Sequence, residues 1–99
     1  MASYGDYREK FYELVRLAHR RGLHVRLVED KVTKDFVGMN FEAAQAFGYS
    51  MPDRTIYIDK NLPWSTKYHT LKHELIEISF MESGEPYWEA HVKALRMER

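Results

Sequence analysis

The order of apolar and polar positions in the first part of the chain predicts a helix followed by a strand. Between Asp6 and Arg21 apolar residues recur every three or four positions, as in an amphipathic helix: Tyr7, Phe11, Leu14, Val15 and Ala18. Gly22 follows, at the place where a helix C-cap is expected. The stretch LHVRLVE, residues 23–29, then alternates apolar and polar side chains, which favours a half-buried strand.

The middle of the chain carries a weaker pattern. Asn40 is a candidate helix cap in front of FEAAQAF, but that segment continues into FGYSM, which favours an extended backbone. The Pro-Asp pair of MPDR indicates a turn, and TIYID after it is the strongest strand signal in the sequence. We therefore predict an antiparallel hairpin between residues 44–51 and 54–59.

Two helices are predicted at the C-terminal end. The first runs from Ser65 to Met81, with Ser65 or Thr66 as its cap. Its buried face is expected to carry Leu71, Leu75 and Ile78. The second begins near Pro86 and reaches Met97. Together these elements predict a single α+β domain over residues 1–99, with an N-terminal helix, a small, mostly antiparallel three-stranded sheet and two packed C-terminal helices.

The composition removes several classes of protein. Lys plus Arg and Asp plus Glu both number 15, so a general nucleic-acid binder, which normally has a basic excess, is not expected. No cysteine is present, so a metal would need histidine and carboxylate ligands. Because no apolar run could cross a bilayer and no hydrophobic signal core begins the chain, we expect a cytoplasmic protein without membrane contact. The high charge content also suits a thermophile.

The stretch TLKHELIEISFME, residues 70–82, holds the candidate chemistry. His73 and Glu74 begin the zinc-protease signature H-E-x-x-H, and Glu77 stands where that signature has its second histidine. Because residues four apart lie on one face of a helix, His73 and Glu77 are expected to point the same way. Glutamate is also a zinc ligand, and two histidines with one carboxylate leave a fourth position open for water. The pattern predicts a metal site if a second histidine lies nearby.

His91, on the last predicted helix, is the candidate for that second histidine. The small residues Ala90 and Ala94 would let the two C-terminal helices approach closely, which would bring His91 to the ligands on the preceding helix. His69, one turn before His73, is an alternative ligand. An ordinary interpretation also stands, because a His–Glu pair at four-residue spacing is a common exposed helix pair and a lone histidine is often structural.

Three segments in this order carry a family resemblance: IYIDKNLP, YHTLKHELIE and EAHVKA. Over residues 25–95 the chain resembles the minimal gluzincin-like metallopeptidases, which are related to the ImmA/IrrE-type peptidases found with phage and mobile-element repressors. The resemblance implies a zincin-like fold in which His73 is the first zinc ligand and Glu74 the general base. Glu77 occupies the position of the second ligand, and His91 lies on the helix that supplies the third.

The function implied by this resemblance is hydrolysis of an extended peptide or protein substrate by a small Zn²⁺ metallopeptidase. Glu74 would take a proton from the water that the zinc activates and pass it to the leaving amine. The strand RTIYID or its neighbour would align the peptide by strand addition. Tyr87 is one of several tyrosines that could donate a hydrogen bond to the oxyanion.

The glutamate at position 77 adds negative charge and would make the metal a weaker Lewis acid. The alternative is therefore a non-catalytic interaction module of viral or mobile-element origin that retains the zincin-like fold. Exposed aromatic side chains would then bind the partner: Trp64, Tyr68 and Trp88. Nucleic-acid binding through the arginines between Arg16 and Arg26 is disfavoured by the neutral charge.

Overall fold

The structure, a computed structural model, describes residues 4–33 and 36–97. In these two stretches the chain forms four α-helices and one three-stranded sheet. The helices are α1 (Tyr4–Arg20), α2 (Phe41–Phe47), α3 (Trp64–Glu82) and α4 (Tyr87–Met97), and the strands are β1 (His24–Val28), β2 (Gly38–Asn40) and β3 (Thr55–Asp59). The predicted α+β class is confirmed, with a helix first, three strands, and two C-terminal helices packed together.

The sheet is mixed, with β3 in its centre and the strand order β1-β3-β2. β1 runs parallel to β3, with His24 opposite Thr55, and β2 runs antiparallel to β3, with Gly38 opposite Ile58. One of the two pairings is therefore parallel, and the sheet is less antiparallel than expected. Parallel strands need a long connection, and here that connection contains β2 and α2.

The predicted hairpin between residues 44–51 and 54–59 is wrong. Residues 41–47 are helical because Asn40 caps α2, with its Oδ1 accepting a 2.8 Å hydrogen bond from the backbone N–H of Ala43. Gly48 ends the helix in the left-handed conformation, at φ 76°. The antiparallel partner of β3 is β2, whose last residue is the capping residue Asn40. The segment is helical because good helix formers lie between the two capping residues, although FGYSM favours an extended backbone.

The hydrophobic core lies between the sheet and helices α1 and α3. Its buried members come from each of these elements: Phe11, Ala18, Leu23, Ile56, Ile58, Leu71, Leu75 and Ile78. The buried face predicted for α3 is confirmed. At the end of α1, Gly22 adopts a positive φ of 76°, and the N–H of Leu23 bonds back to the carbonyl of Ala18 at 2.9 Å.

α3 begins one residue earlier than predicted and has no side-chain cap. Pro63 stands at the N-cap, and its carbonyl accepts a 2.9 Å hydrogen bond from the N–H of Lys67. Ser65 and Thr66 therefore lie inside the first turn, and the cap predicted for them is wrong. Neither α3 nor any other helix in the described residues is long and apolar enough to cross a bilayer.

β2 and α3 approach each other closely at Gly38. A β-carbon at this position would lie 2.7 Å from Thr70 Cγ2, 3.1 Å from Glu74 Oε1 and 3.3 Å from Ile58 Cδ1. A glycine in a strand often marks such a close approach. Because no side chain intervenes, the end of β2 lies beside the part of α3 that carries the H-E-x-x-E sequence.

The buried position of Ile58 at the centre of the sheet yields a prediction on stability. Ile58→Ala is expected to lower the free energy of unfolding by roughly 2–5 kcal/mol, because the fully buried side chain would leave a cavity. Urea or thermal unfolding measures the loss. Leu27→Ala in β1, where the side chain is 37% exposed, is the control and should cost much less. An equal loss in both variants would contradict this position of the core.

Candidate metal centre

Three side chains from α3 and α4 bring one ligand atom each to a common point. The distance from His73 Nε2 to Glu77 Oε2 is 2.9 Å, and that from His91 Nδ1 to Glu77 Oε2 is 2.8 Å. The two ring nitrogens lie 3.2 Å apart. Within the described part of the chain, these residues form a group that could hold a metal ion. The structure thus brings together the three ligands predicted from the sequence.

The group is assembled by two helices. His73 and Glu77 lie one turn apart on α3, where four-residue spacing places them on one face. His91 comes from α4, which packs against α3 and has Ala90 and Ala94 fully buried. Because methyl side chains let two helix backbones approach, the ring of His91 reaches the α3 pair.

No placement of hydrogen atoms makes all three contacts among His73, Glu77 and His91 favourable. With Glu77 ionised, each ring nitrogen needs a proton to bond its carboxylate oxygen, and the two N–H groups then face each other at 3.2 Å. If one nitrogen has no proton, its lone pair faces the carboxylate instead. A cation is attracted to all three lone pairs. Atoms bound to one tetrahedral zinc ion at about 2.0–2.2 Å lie roughly 3.3–3.6 Å apart, so the three atoms would admit the ion after separating by about half an ångström. The donor set and its spacing therefore fit a metal ion.

Glu77 carries the negative charge of the group. Its side chain is only 2% exposed, and this burial raises the pKa of the carboxyl. Hydrogen bonds with His73 and His91, together with one from Asn40, outweigh the effect of burial and hold the pKa of Glu77 below its ordinary value. The carboxylate is therefore ionised at neutral pH and available as an anionic ligand.

Glu74 is buried beside the group but does not contribute a ligand atom to it. Its Oε2 accepts a 2.7 Å hydrogen bond from Nδ2 of Asn40, and the same nitrogen donates to Glu77 Oε1 at 3.1 Å. Sequence reasoning identified Asn40 only as a helix cap. Its contact with the two glutamates arises because β2 lies against α3, which no local pattern in the sequence indicates.

Tyr87 lies next to the group at the start of α4. Its ring stacks on that of His91, with the centroids 5.4 Å apart and the planes inclined by 23°. Burial, followed by the negative charges of Glu77 and Glu74, raises the pKa of Tyr87 to about 12. The side chain is therefore a neutral phenol at physiological pH, and it is the tyrosine that the structure places at the site.

The other histidines lie outside the ligand group. His69, the alternative ligand considered from the sequence, is exposed on α3, and its ring contacts the rings of Tyr7 and Tyr68. His19 and His24 are also exposed, with ring centroids 6.5 Å apart. The structure therefore groups His91, rather than His69, with the two ligands of α3.

A cleft of about 570 Å³ contains the ligand group in its lining. Apolar side chains form much of the rest: Phe36, Val37, Met39, Phe47, Trp88 and Leu95. No lysine or arginine of the described residues lines the cleft. Trp88 is 66% exposed, whereas Trp64 and Tyr68, which were also expected to be exposed, are half-buried against the core. The cleft is thus apolar apart from its acidic and imidazole groups and a few small polar side chains.

No protein-family model matches this sequence, and no curated protein and no solved structure matches it. The zincin-like resemblance depends on the motif segments of the sequence. The group of candidate metal ligands is formed by α3 and α4.

The lowered pKa of Glu77 predicts how stability depends on pH in the absence of metal. A carboxyl whose pKa in the folded state lies below its unfolded value of about 4.5 stabilises the native state above that pH. This contribution is lost as the pH falls through the folded-state pKa. Thermal unfolding in chelator, from about pH 7 to about pH 3, is therefore expected to show a steeper loss of stability in the parent than in Glu77→Gln.

Glu13→Gln, which removes an exposed carboxyl from α1, is the control and should follow the parent. Equal slopes for the parent and Glu77→Gln would show that the native structure does not favour the ionised form of Glu77.

Proposed function

We propose that this protein is a small, zincin-like, zinc-dependent peptidase. The observation that carries the proposal is the convergence of His73 Nε2, Glu77 Oε2 and His91 Nδ1, with pairwise distances of 2.8–3.2 Å. A second glutamate, Glu74, lies buried beside these atoms without contributing a ligand. Three ligands and a separate carboxylate are the parts that metal-assisted hydrolysis requires.

Zinc is the metal that we propose for this donor set. In catalytic sites zinc takes three protein ligands from histidine, carboxylate or cysteine and keeps a fourth position open. The sequence has no cysteine, so no thiolate competes. Two histidines and one carboxylate also suit non-haem Fe(II). We favour zinc because α3 supplies two ligands at the spacing found in H-E-x-x-H proteins.

When bound, the metal would polarise the peptide carbonyl and activate water. Glu74 would remove a proton from this water, and its Oε1 lies on the side of α3 that faces Gly38 in the cleft lining. Tyr87, as a neutral phenol, would donate a hydrogen bond to the carbonyl oxygen as charge develops on it. The reaction would add the hydroxyl of water to the carbonyl carbon and break its bond to the peptide nitrogen, and Glu74 would pass the proton to that leaving nitrogen.

The open edge of β2 is the surface on which we place the substrate backbone. The strand RTIYID belongs to β3, which is paired on both sides, whereas its neighbour β2 is an edge strand of the described sheet and lies against α3. The N–H of Asp59 donates a 3.0 Å hydrogen bond to the carbonyl of Val37. By the alternation of antiparallel pairing, the N–H and C=O of Gly38 point away from β3. An extended peptide can add to this edge, and the apolar lining favours apolar over acidic side chains.

A second candidate function, a protein-binding module, is favoured by the exposed face of α4. Trp88, Val92 and Leu95 recur at helical spacing and are 66%, 44% and 43% exposed. An apolar stripe of this kind can bind a partner protein. The metal group would then join α3 to α4 without catalysis. Under either function a cytoplasmic location stays a prediction from the sequence.

Zinc is expected to raise the melting temperature. A ligand that binds only the folded chain stabilises it by RT ln(1 + [L]/Kd), about 2.7 kcal/mol at a hundredfold excess over Kd. For a domain of this size that corresponds to a rise in Tm of about 10 °C or more. Replacing His73, Glu77 or His91 by Ala should remove most of the rise. Calorimetry with zinc and with Fe(II), and elemental analysis of protein purified without a histidine tag, measure these effects.

His69→Ala is the matched control, because His69 lies on the same helix as the ligands but outside the group. It should retain the full rise in Tm. Loss of the rise in His69→Ala, with retention in His91→Ala, would show that the ligand set is wrong. A rise with Fe(II) and none with zinc would assign the site to iron.

Glu74→Gln tests catalysis. The substitution is expected to lower kcat for cleavage of an unfolded protein by about 100- to 10,000-fold, because the amide cannot accept the proton. The zinc content should not change, because Glu74 contributes no ligand atom. Cleavage is also measured with two matched peptides, one with apolar and one with acidic side chains, and the apolar peptide is expected to be the better substrate. Loss of zinc from Glu74→Gln would place Glu74 among the ligands, and a zinc-loaded parent that cleaves nothing would favour the protein-binding module.

A further inference from the structure

Asn40 connects three elements at the metal group. It is the last residue of β2 and the N-cap of α2, and its fully buried side chain contacts two glutamates of α3. Its Oδ1 accepts a 2.8 Å hydrogen bond from the N–H of Ala43. Its Nδ2 donates to Glu74 Oε2 at 2.7 Å and to Glu77 Oε1 at 3.1 Å. Both the oxygen and the nitrogen of the Asn40 side chain are therefore hydrogen-bonded.

The chemistry of these partners determines the orientation of the amide. An asparagine side chain has two N–H donors on one atom and an acceptor on the other. Rotating the amide by half a turn would place its oxygen against two carboxylates and its NH₂ group against the backbone N–H of Ala43. Both alternatives are repulsive, so the two donors of Asn40 must face the glutamates.

In each of the two glutamates, one carboxylate oxygen bonds to Asn40 and the other does not. In Glu77, Oε1 bonds to Asn40 and Oε2 faces the nitrogens of His73 and His91. In Glu74, Oε2 bonds to Asn40, and Oε1 lies on the side of Gly38, 3.1 Å from the place that a β-carbon there would occupy. One amide thus determines which oxygen of each glutamate is turned toward the site.

We propose that Asn40 is a positioning residue that makes Glu77 a one-oxygen ligand and turns Glu74 Oε1 toward Gly38 on the face of β2 that meets α3. A carboxylate with two available oxygens can bind a metal ion through both. With Oε1 held by Asn40, Glu77 offers Oε2 alone, which keeps a coordination position open for water or substrate. The statement about Glu77 requires only the metal group, whereas the statement about Glu74 rests on the proposed peptidase function.

The position of Asn40 in the chain links Glu74 to β2. Asn40 belongs to β2, whose outer edge is where we place the substrate backbone. The same residue therefore sets the distance between that edge and the carboxylate that moves the proton. A side chain on a distant loop would hold Glu74 without holding the strand.

Asn40→Ser separates this role from helix capping. Serine caps a helix about as well as asparagine, but its single, shorter hydroxyl cannot replace two N–H donors. Asn40→Ala removes both the cap and the donors. Asn61→Ser, at an exposed position after β3, is the matched control. Zinc affinity is measured by competition with a chelator, and Co(II) in place of zinc reports coordination, because its visible absorption weakens as the number of ligand atoms rises above four.

Asn40→Ser and Asn40→Ala are both expected to bind zinc roughly 10- to 100-fold more weakly than the parent and to show a weaker Co(II) absorption. Only Asn40→Ala should also lose the contribution of the cap to Tm. Asn61→Ser should match the parent in all respects. In zinc-loaded protein, Asn40→Ser is further expected to lower kcat with little change in KM, because Glu74 loses its orientation while the cleft is retained.

Parent-like zinc affinity and Co(II) absorption in Asn40→Ser, with losses confined to Asn40→Ala, would overturn the proposal and leave Asn40 as a helix cap. If Asn40→Ser does not fold, Asn40→Thr replaces it, because threonine also caps a helix and its one hydroxyl cannot replace two N–H donors; parent-like zinc affinity and Co(II) absorption there also overturn the proposal. If the parent binds neither zinc nor Co(II), the metal site is overturned and the proposal for Asn40 with it. A parent that binds zinc but cleaves nothing would overturn the peptidase function and the statement about Glu74, while the spectra still decide the statement about Glu77.

Discussion

The buried charge of Glu77 is the constraint on which the rest of the site depends. An ionised carboxylate that is 2% exposed is unfavourable unless partners compensate for the lost water. Three elements supply these partners: His73 from the preceding turn of α3, His91 from α4 and Asn40 from the end of β2. The packing of α3 against α4 and against β2 is therefore coupled to the stabilisation of one charge.

Small residues at the two contacts with α3 follow from the same constraint. Gly38 lets β2 come so near to α3 that a β-carbon would overlap Thr70, and Ala90 and Ala94 are fully buried where α4 packs on α3. A larger side chain at these positions would move the donors away from Glu77. A chain of 99 residues buries a modest core, so a metal bound to the native state would add appreciably to its stability.

The surroundings of the group determine how strongly its charges act. Much of the cleft lining is apolar, with Phe47 against the ring of Tyr87, Trp88 against the ring of His91, and no lysine or arginine among the described lining residues. Charges interact more strongly where water is partly excluded, so these surroundings strengthen the interactions of Glu77 with its partners. The group that could hold a metal ion therefore lies among mainly apolar side chains.

The sequence by itself determined the long helices, the central strand and the pair His73 and Glu77, because helical periodicity and four-residue spacing are local properties of the chain. His91 could be added because two consecutive helices joined by a short turn, with Ala90 and Ala94 between them, tend to pack together. The sequence did not determine β2, the parallel pairing of β1 with β3, or the second role of Asn40. Strand partners and direction depend on contacts between distant segments, and Asn40 meets the two glutamates across 34 and 37 residues of chain. Only the tertiary structure could decide these points, because the cap of α2 forms locally, whereas its hydrogen bonds to α3 exist only once β2 lies against that helix.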